Sequence, residues 1–156
     1  MEVASLYNAQ FMDHVTHPDY KYELDDATHE HDGINPSCGD ELHLAIRMGE
    51  DGRIEEAAYT GHGCAVSMAS ADMMSDLMVG KTPEEAIALC ELFKGMITGT
   101  EKDDDKLEEA LDEAAILKDV SHMPARVKCA QLAWRTLAEM LKSDGQQAEA
   151  TSTEED

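Results

Sequence analysis

Basic side chains are what this chain most lacks. Its 12 lysines and arginines face 34 aspartates and glutamates, leaving a formal charge of −22 over 156 residues. Phosphate contacts need Lys and Arg, so the deficit excludes a generic nucleic-acid binder and attachment to an anionic membrane surface. It fits a very soluble protein or one that meets a basic partner surface; an acidic proteome or a salt-rich cytosol accounts for it equally well. Aromatic residues are also scarce, at 4% against ten methionines. The core must therefore draw on Leu, Ile, Val, Ala and adaptable Met side chains. No apolar run approaches the roughly 20 residues that span a bilayer, and no basic-then-apolar leader opens the chain. A cytoplasmic location is the default expectation. Four cysteines in a reducing compartment then read as thiols or metal ligands rather than disulfides.

At 42% apolar residues the composition is otherwise ordinary, and the length suits one domain with a substantial core. That domain is expected over residues 1–143. Residues 144–156 are polar and acidic and read as a disordered tail. Val3, Tyr7, Phe11 and Val15 recur at helical spacing with Leu6 beside them, predicting a helix over 2–16 that His17-Pro18 ends. His14 and His17 read as surface histidines at its end. Residues 18–33 form a polar connector with a short strand near 27–31, where His29 and His31 read as alternation along one face rather than as a metal pair. Leu42, Leu44, Ile46 and Met48 then alternate with Glu41, His43, Ala45 and Arg47, the pattern of a half-buried strand. Asp51-Gly52 supplies a hairpin turn, and Ile54 to Thr60 returns as a second strand.

The remainder reads as helical. A helix from Cys64 to about Val79 is closed by Gly80, and its small-residue first half suits close approach to a neighbour, expected to be the sheet. Thr82-Pro83-Glu84-Glu85 combines a capping box with a first-turn proline and opens a helix over 83–97. Cys90 takes an apolar position there, as a buried and inert thiol. Residues 99–106 read as a charged linker and 107–117 as a short helix. A last helix follows Pro124, with Val127, Ala130, Trp134, Leu137 and Leu141 on its buried stripe and Cys129 off that stripe, as suits a residue serving a surface site. The expected fold is α+β: a small antiparallel sheet of about three strands with helices packed on one face.

Chemistry concentrates in Ile34-Asn35-Pro36-Ser37-Cys38-Gly39-Asp40-Glu41, where a thiol and a carboxylate stand two residues apart on a Pro/Gly-bounded turn. With Cys64 and Cys129 they make a plausible four-ligand set for zinc, which favours tetrahedral sulfur-rich coordination. The paired C-x-x-C knuckles of ribbons and fingers are missing, so spacing alone is a moderate signal. Three thiolates, one carboxylate and a divalent cation leave about two negative charges, and the hard oxygen ligand should make the site easier to open. A helix N-terminus favours a thiolate at Cys64. The exposed turn makes Cys38 the candidate reactive sulfur. A zinc ion that only staples the fold is the alternative these residues leave open.

Three segments also carry a resemblance: Asn35-Pro36-Ser37-Cys38-Gly39-Asp40, Gly61-His62-Gly63-Cys64-Ala65-Val66-Ser67-Met68-Ala69-Ser70-Ala71, and Ala125-Arg126-Val127-Lys128-Cys129-Ala130. Together with Leu6-Tyr7 and His17-Pro18, they resemble the signatures of the IscU/NifU-N-terminal family over about residues 5–142. Lys128 stands where scaffold-type members usually carry histidine, and the acidic stretch around 99–113 suits the insertion of the SufU branch, which the chain resembles most. That resemblance implies a zinc site of Cys38, Asp40, Cys64 and Cys129. It implies that Cys38 accepts sulfur from the persulfide of a SufS-type cysteine desulfurase, whose histidine displaces Cys38 from zinc, and that the sulfur passes to downstream iron–sulfur assembly machinery. Arg126 matches a family arginine whose implied role is to orient the freed thiol, and Lys128 is placed to offset the site's charge. An iron–sulfur scaffold holding a transient [2Fe–2S] cluster on the same residues is the runner-up, with iron or the cluster in place of zinc.

Overall fold

A mixed sheet orders the molecule. In the computed structural model, which describes residues 8–143 and 151–153, β1 (His29–Asn35), β2 (Asp40–Met48) and β3 (Ile54–His62) pair antiparallel in sequence. A two-residue strand, β4 (Thr151–Ser152), joins the other side of β1 in parallel, giving the order β3-β2-β1-β4. The three antiparallel strands are those expected; the fourth is an addition. Residues 151–153 fall inside the segment expected to be a disordered tail, yet Thr151 and Thr153 are buried. Their hydroxyls meet His31 and Asn35, a pairing across more than a hundred residues that no hydrophobic pattern announces.

β1 alternates strictly, with His31, Gly33 and Asn35 inward and Glu30, Asp32 and Ile34 outward. It is longer than the expected strand because two of its three inward residues are polar, so the usual apolar alternation is muted. Gly33 admits α5 (Pro124–Lys142) against the sheet: a β-carbon there would lie 2.2 Å from Thr136 Oγ1. α2 (Ala65–Met78) covers the same face beside α5. Its small residues meet α5 as well as the sheet: the Ser70 hydroxyl donates to the Ala130 carbonyl at 2.7 Å and accepts from Trp134 Nε1 at 2.8 Å. Trp134 then stacks on Phe93 of α3 (Pro83–Thr98), ring centres 4.0 Å apart. The predicted capping box of Thr82 and Glu85 opens α3.

Two helical expectations are corrected. Asp103 caps α4 (Asp104–Leu111), its side chain accepting from the Lys106 N–H, with Asp104 and Asp105 in the first turn. The acidic run read as linker therefore begins a helix, because carboxylates there satisfy free N–H groups and offset the helix dipole. The helix expected over 107–117 ends at Leu111, and a 3₁₀ segment, Asp112–His122, continues to α5. α1 (Ala9–Thr16) is capped by Asn8 and buries Phe11 completely; residues 2–7 of the predicted helix lie outside the described residues. His14, read as a surface residue, is buried, because Asp72 of α2 and Glu113 of the 3₁₀ segment meet its two ring nitrogens. Among the described residues no helix is long and apolar enough to cross a membrane.

Candidate metal centre

The register of the first hairpin builds the site. Asn35 and Asp40 are the last paired residues of β1 and β2, so their side chains share the covered face and both are buried. The backbone N–H groups of Cys38 and Gly39 close the turn on the Asn35 carbonyl, at 3.2 and 2.9 Å. Cys38 is left exposed at the tip. Beneath it, the Asn35 side-chain amide donates to Asp40 Oδ2 at 2.9 Å and to Cys129 Sγ at 3.4 Å.

The start of α2 closes on the same carboxylate. The Cys64 backbone N–H donates to Asp40 Oδ1 at 3.0 Å. This approach needs glycine before it, since a β-carbon on Gly63 would lie 2.5 Å from that oxygen. Cys64 is the N-cap of α2, its sulfur accepting the Ser67 N–H at 3.4 Å. A hydrogen bond from the Cys129 thiol, opposed by burial and helped by the Ser67 N–H, lowers the Cys64 thiol to about 6. Cys129, which donates that bond and is buried, is pushed above its ordinary value. Of this pair, Cys64 is the more acidic thiol, as its place at the N-terminus of α2 favours.

Cys129 corrects the expectation of an off-stripe residue near the surface: it is completely buried. Residues 129–134 of α5 are buried all round, and Asn35 at the end of β1 lies directly against the sulfur. Arg126, half-buried one turn earlier, directs Nη1 at Cys38 Sγ from 3.9 Å. Its guanidinium is raised further by a hydrogen bond to Cys129 and by the charge of the surrounding thiols. Lys128 is half-buried on the same turn.

Cys38 Sγ, an Asp40 carboxylate oxygen and Cys129 Sγ lie within 4.8 Å of one another. Metal–sulfur bonds of about 2.3 Å in a tetrahedron set sulfurs roughly 3.8 Å apart, so this donor set fits one zinc ion. Three of the four predicted ligands are thus gathered. The Cys64 sulfur is not among those mutually close atoms, but it is joined to them through its bond with Cys129. Among the described residues His29 and His31 join no donor cluster; His31 is buried and bonded to Thr151 instead. Cys90 is buried in α3, and burial pushes its thiol up to about 12. Size is no guide to the chemistry: the groove of about 1010 Å³ between α3 and α4 contains none of the site thiols.

Asn35 is the functional residue that sequence reasoning missed. A neutral amide announces no chemistry by type. The signal that could have found it is geometric: a four-residue turn from 36 to 39 makes 35 and 40 opposite partners, so an Asn35 side chain must share the buried face with Asp40.

Known proteins share this arrangement of segments. The family model of the NifU-like N terminal domain matches residues 6–130. The iron–sulfur cluster assembly scaffold protein IscU of Streptococcus pyogenes is 38% identical over 143 residues, covering 88% of this chain and 83% of its own. The zinc-dependent sulfurtransferase SufU of Bacillus subtilis is 39% identical over 133 residues, covering 85% and 87%. Among solved structures, a candidate iron–sulfur cluster assembly scaffold protein for the SUF system from Fervidobacterium islandicum superposes with a TM-score of 0.78 at 31% identity, over 90% of this chain and 99% of that one.

Proposed function

The chain belongs to the NifU-like N terminal domain family, and from that premise we propose that it is a zinc-dependent sulfur carrier for iron–sulfur cluster assembly in the cytoplasm. Its donor is the persulfide of a SufS-type cysteine desulfurase, and its receiving group is Cys38. The observation that carries this reading is the division of the thiols by depth: Cys38 is exposed at the hairpin tip, whereas Cys129 and Asp40 are buried beneath it. One sulfur can meet a partner while the others hold.

Cys38, Asp40, Cys64 and Cys129 would hold the metal. Bound zinc keeps thiols deprotonated at neutral pH without adding redox chemistry. The chain's own residues do the rest. Asn35 and the Cys64 N–H hold the Asp40 carboxylate in place with neutral donors. Arg126 sets a positive charge beside the Cys38 sulfur, facing the atom that meets the donor. The Cys38 thiolate attacks the outer sulfur of the donor's persulfide; the donor's S–S bond breaks, its inner sulfur leaves as a thiolate, and the outer sulfur with its proton stays on Cys38 as a new persulfide. No electrons are gained or lost overall.

A second reading has a specific observation behind it, the scaffold name of the Streptococcus pyogenes relative. There the same donors receive a [2Fe–2S] cluster as cargo. Intact-protein mass after incubation with a SufS-type desulfurase, pyridoxal phosphate and cysteine tests the carrier reading. A reductant-sensitive gain of one sulfur on Cys38, lost in Cys38→Ala, is expected. No gain with an active desulfurase would refute it, and a stable visible chromophore after anaerobic reconstitution would favour the scaffold.

A further inference from the structure

The chain's last described residues reach the metal centre. β4 pairs with β1 in parallel, Gly33 opposite Thr151 and Ile34 opposite Ser152, and the Thr153 N–H extends the ladder to the Ile34 carbonyl at 3.1 Å. The two-residue period of the strand turns Thr151 and Thr153 to the covered face, where they are 1% and 4% exposed. Thr151 lies opposite Gly33 and reaches back to His31, and Thr153 follows one step beyond the Ile34–Ser152 pair, beside Asn35. The Thr151 hydroxyl meets His31 Nε2 at 2.8 Å, and the Thr153 hydroxyl donates to Asn35 Oδ1 at 2.9 Å. Arg135 of α5 donates to the Thr153 carbonyl at 3.4 Å, holding the segment from the helix side.

We propose that β4 is a strap that sets the metal affinity of the centre: Thr153 locks Asn35, and Asn35 is the positioning residue that aims its amide at Asp40 and Cys129. This rests on the reading of Cys38, Asp40, Cys64 and Cys129 as zinc ligands. The Asn35 amide has two N–H donors and a carbonyl acceptor. Both donors are used on candidate ligands, one on Asp40 Oδ2 and one on Cys129 Sγ. Those partners also fix which end of the amide is which, since the opposite orientation would set its oxygen against a carboxylate and a sulfur. The oxygen is then left facing away, completely buried, and Thr153 is what satisfies it.

Without that hydroxyl a buried acceptor has no partner, a penalty the side chain escapes only by turning toward solvent. Turning withdraws both donors from the ligands. The two N–H donors hold the Asp40 carboxylate and the Cys129 sulfur in place, and partners that orient metal ligands in this way sustain metal affinity, so the loss is read as weaker zinc. Linkage makes the effect reciprocal: whatever the strap adds to zinc affinity, zinc adds to the docking of the strap.

The test uses the full chain as wild type, Asn35→Ala, Thr153→Val and Thr153→Ser. Zinc affinity is measured by chelator competition, and the Asn35 side-chain amide resonances by ¹H–¹⁵N NMR on metal-free protein. Partners one shell behind a metal ligand typically contribute about 10–100-fold in affinity. Asn35→Ala is expected to fall in that range, Thr153→Val to weaken zinc by about 10-fold, at the low end of it, and Thr153→Ser to restore the wild-type value within about twofold. In the metal-free protein Thr153→Val shifts the Asn35 amide resonances and Thr153→Ser does not. Unmoved resonances in Thr153→Val, or wild-type zinc affinity in that variant, would overturn the strap. A wild-type protein that binds no zinc would overturn the ligand assignment instead, and the metal-free resonances would still decide whether Thr153 locks Asn35.

Discussion

Two buried carboxylates hang on helix α2, and they are compensated in different ways. Asp72, in the middle of the helix, is completely buried, and Asp40, held at its N-terminus by the Cys64 N–H, is 1% exposed. Asp72 finds everything it needs inside the fold. Its Oδ2 meets His14 Nδ1 at 2.6 Å, and its Oδ1 accepts the Tyr20 N–H at 3.0 Å and the Tyr59 hydroxyl at 3.3 Å. His14 in turn meets Glu113 at 3.0 Å. Asp40 takes its hydrogen bonds from neutral groups, Asn35 and the Cys64 N–H, and stands among thiols. Burying an anion is costly unless a cation accompanies it. The Asp72 cluster carries its own cation and staples α1, α2 and the 3₁₀ segment. Asp40 itself is hydrogen-bonded by neutral groups, and the Arg126 charge is directed at the exposed Cys38 sulfur instead, the condition in which a divalent cation from outside completes a site.

The sharpest way to break the contrast is to supply or withhold that cation. Zinc at about a thousandfold over its dissociation constant should stabilise the chain by about 4 kcal/mol, and Asp40→Ala should remove most of that gain; urea unfolding with and without zinc reads both. His14→Ala should cost about 3 kcal/mol in the same assay, because it leaves Asp72 buried without its cation, and should leave zinc affinity unchanged. Weaker zinc binding in His14→Ala would mean that the two clusters are one network.

Acidity separates the clusters as well. Burial pulls the His14 pKa down, but hydrogen bonds to Asp72 and Glu113, and then their charges, outweigh it and leave it raised above 6.5. A raised folded-state value means that the contribution of charged His14 is fully present below pH 6.5 and is lost as pH rises through the folded value. The stability gap between wild type and His14→Ala, measured without metal, should therefore narrow above that pH. Zinc affinity should move the other way, rising with pH as the thiols lose their protons. The smallest effect belongs to Cys90→Ala, which should cost about 1 kcal/mol, an ordinary point-mutant loss, with no change in metal binding.

How much of this was readable from the chain alone follows from the type of residue. Cys38, Asp40, Cys64 and Cys129 stand out because thiols and carboxylates carry chemistry by composition, and the hairpin with its Asp51-Gly52 turn stands out by alternation. The helices over 65–78 and 83–98 announce themselves through small residues and a capping box. What stayed hidden depends on contacts distant in sequence. Asn35 and Thr153 are neutral and become meaningful only once register brings them 2.9 Å apart. His14 looked like a surface residue because Asp72 and Glu113 come from other elements. Cys129 looked peripheral because helical spacing cannot show that a strand end covers it. The Asp103–Asp105 run looked like linker because charge patterning was read before capping.

The most direct measurement is the alkylation rate of each of the four cysteines, followed by peptide mass spectrometry, with and without one equivalent of zinc. If the centre is an anionic cluster completed by a cation, zinc should protect Cys38, Cys64 and Cys129 together, the exposed Cys38 showing the largest change, and leave Cys90 as slow as before. Protection of none of the three, or of Cys38 alone, would contradict the account.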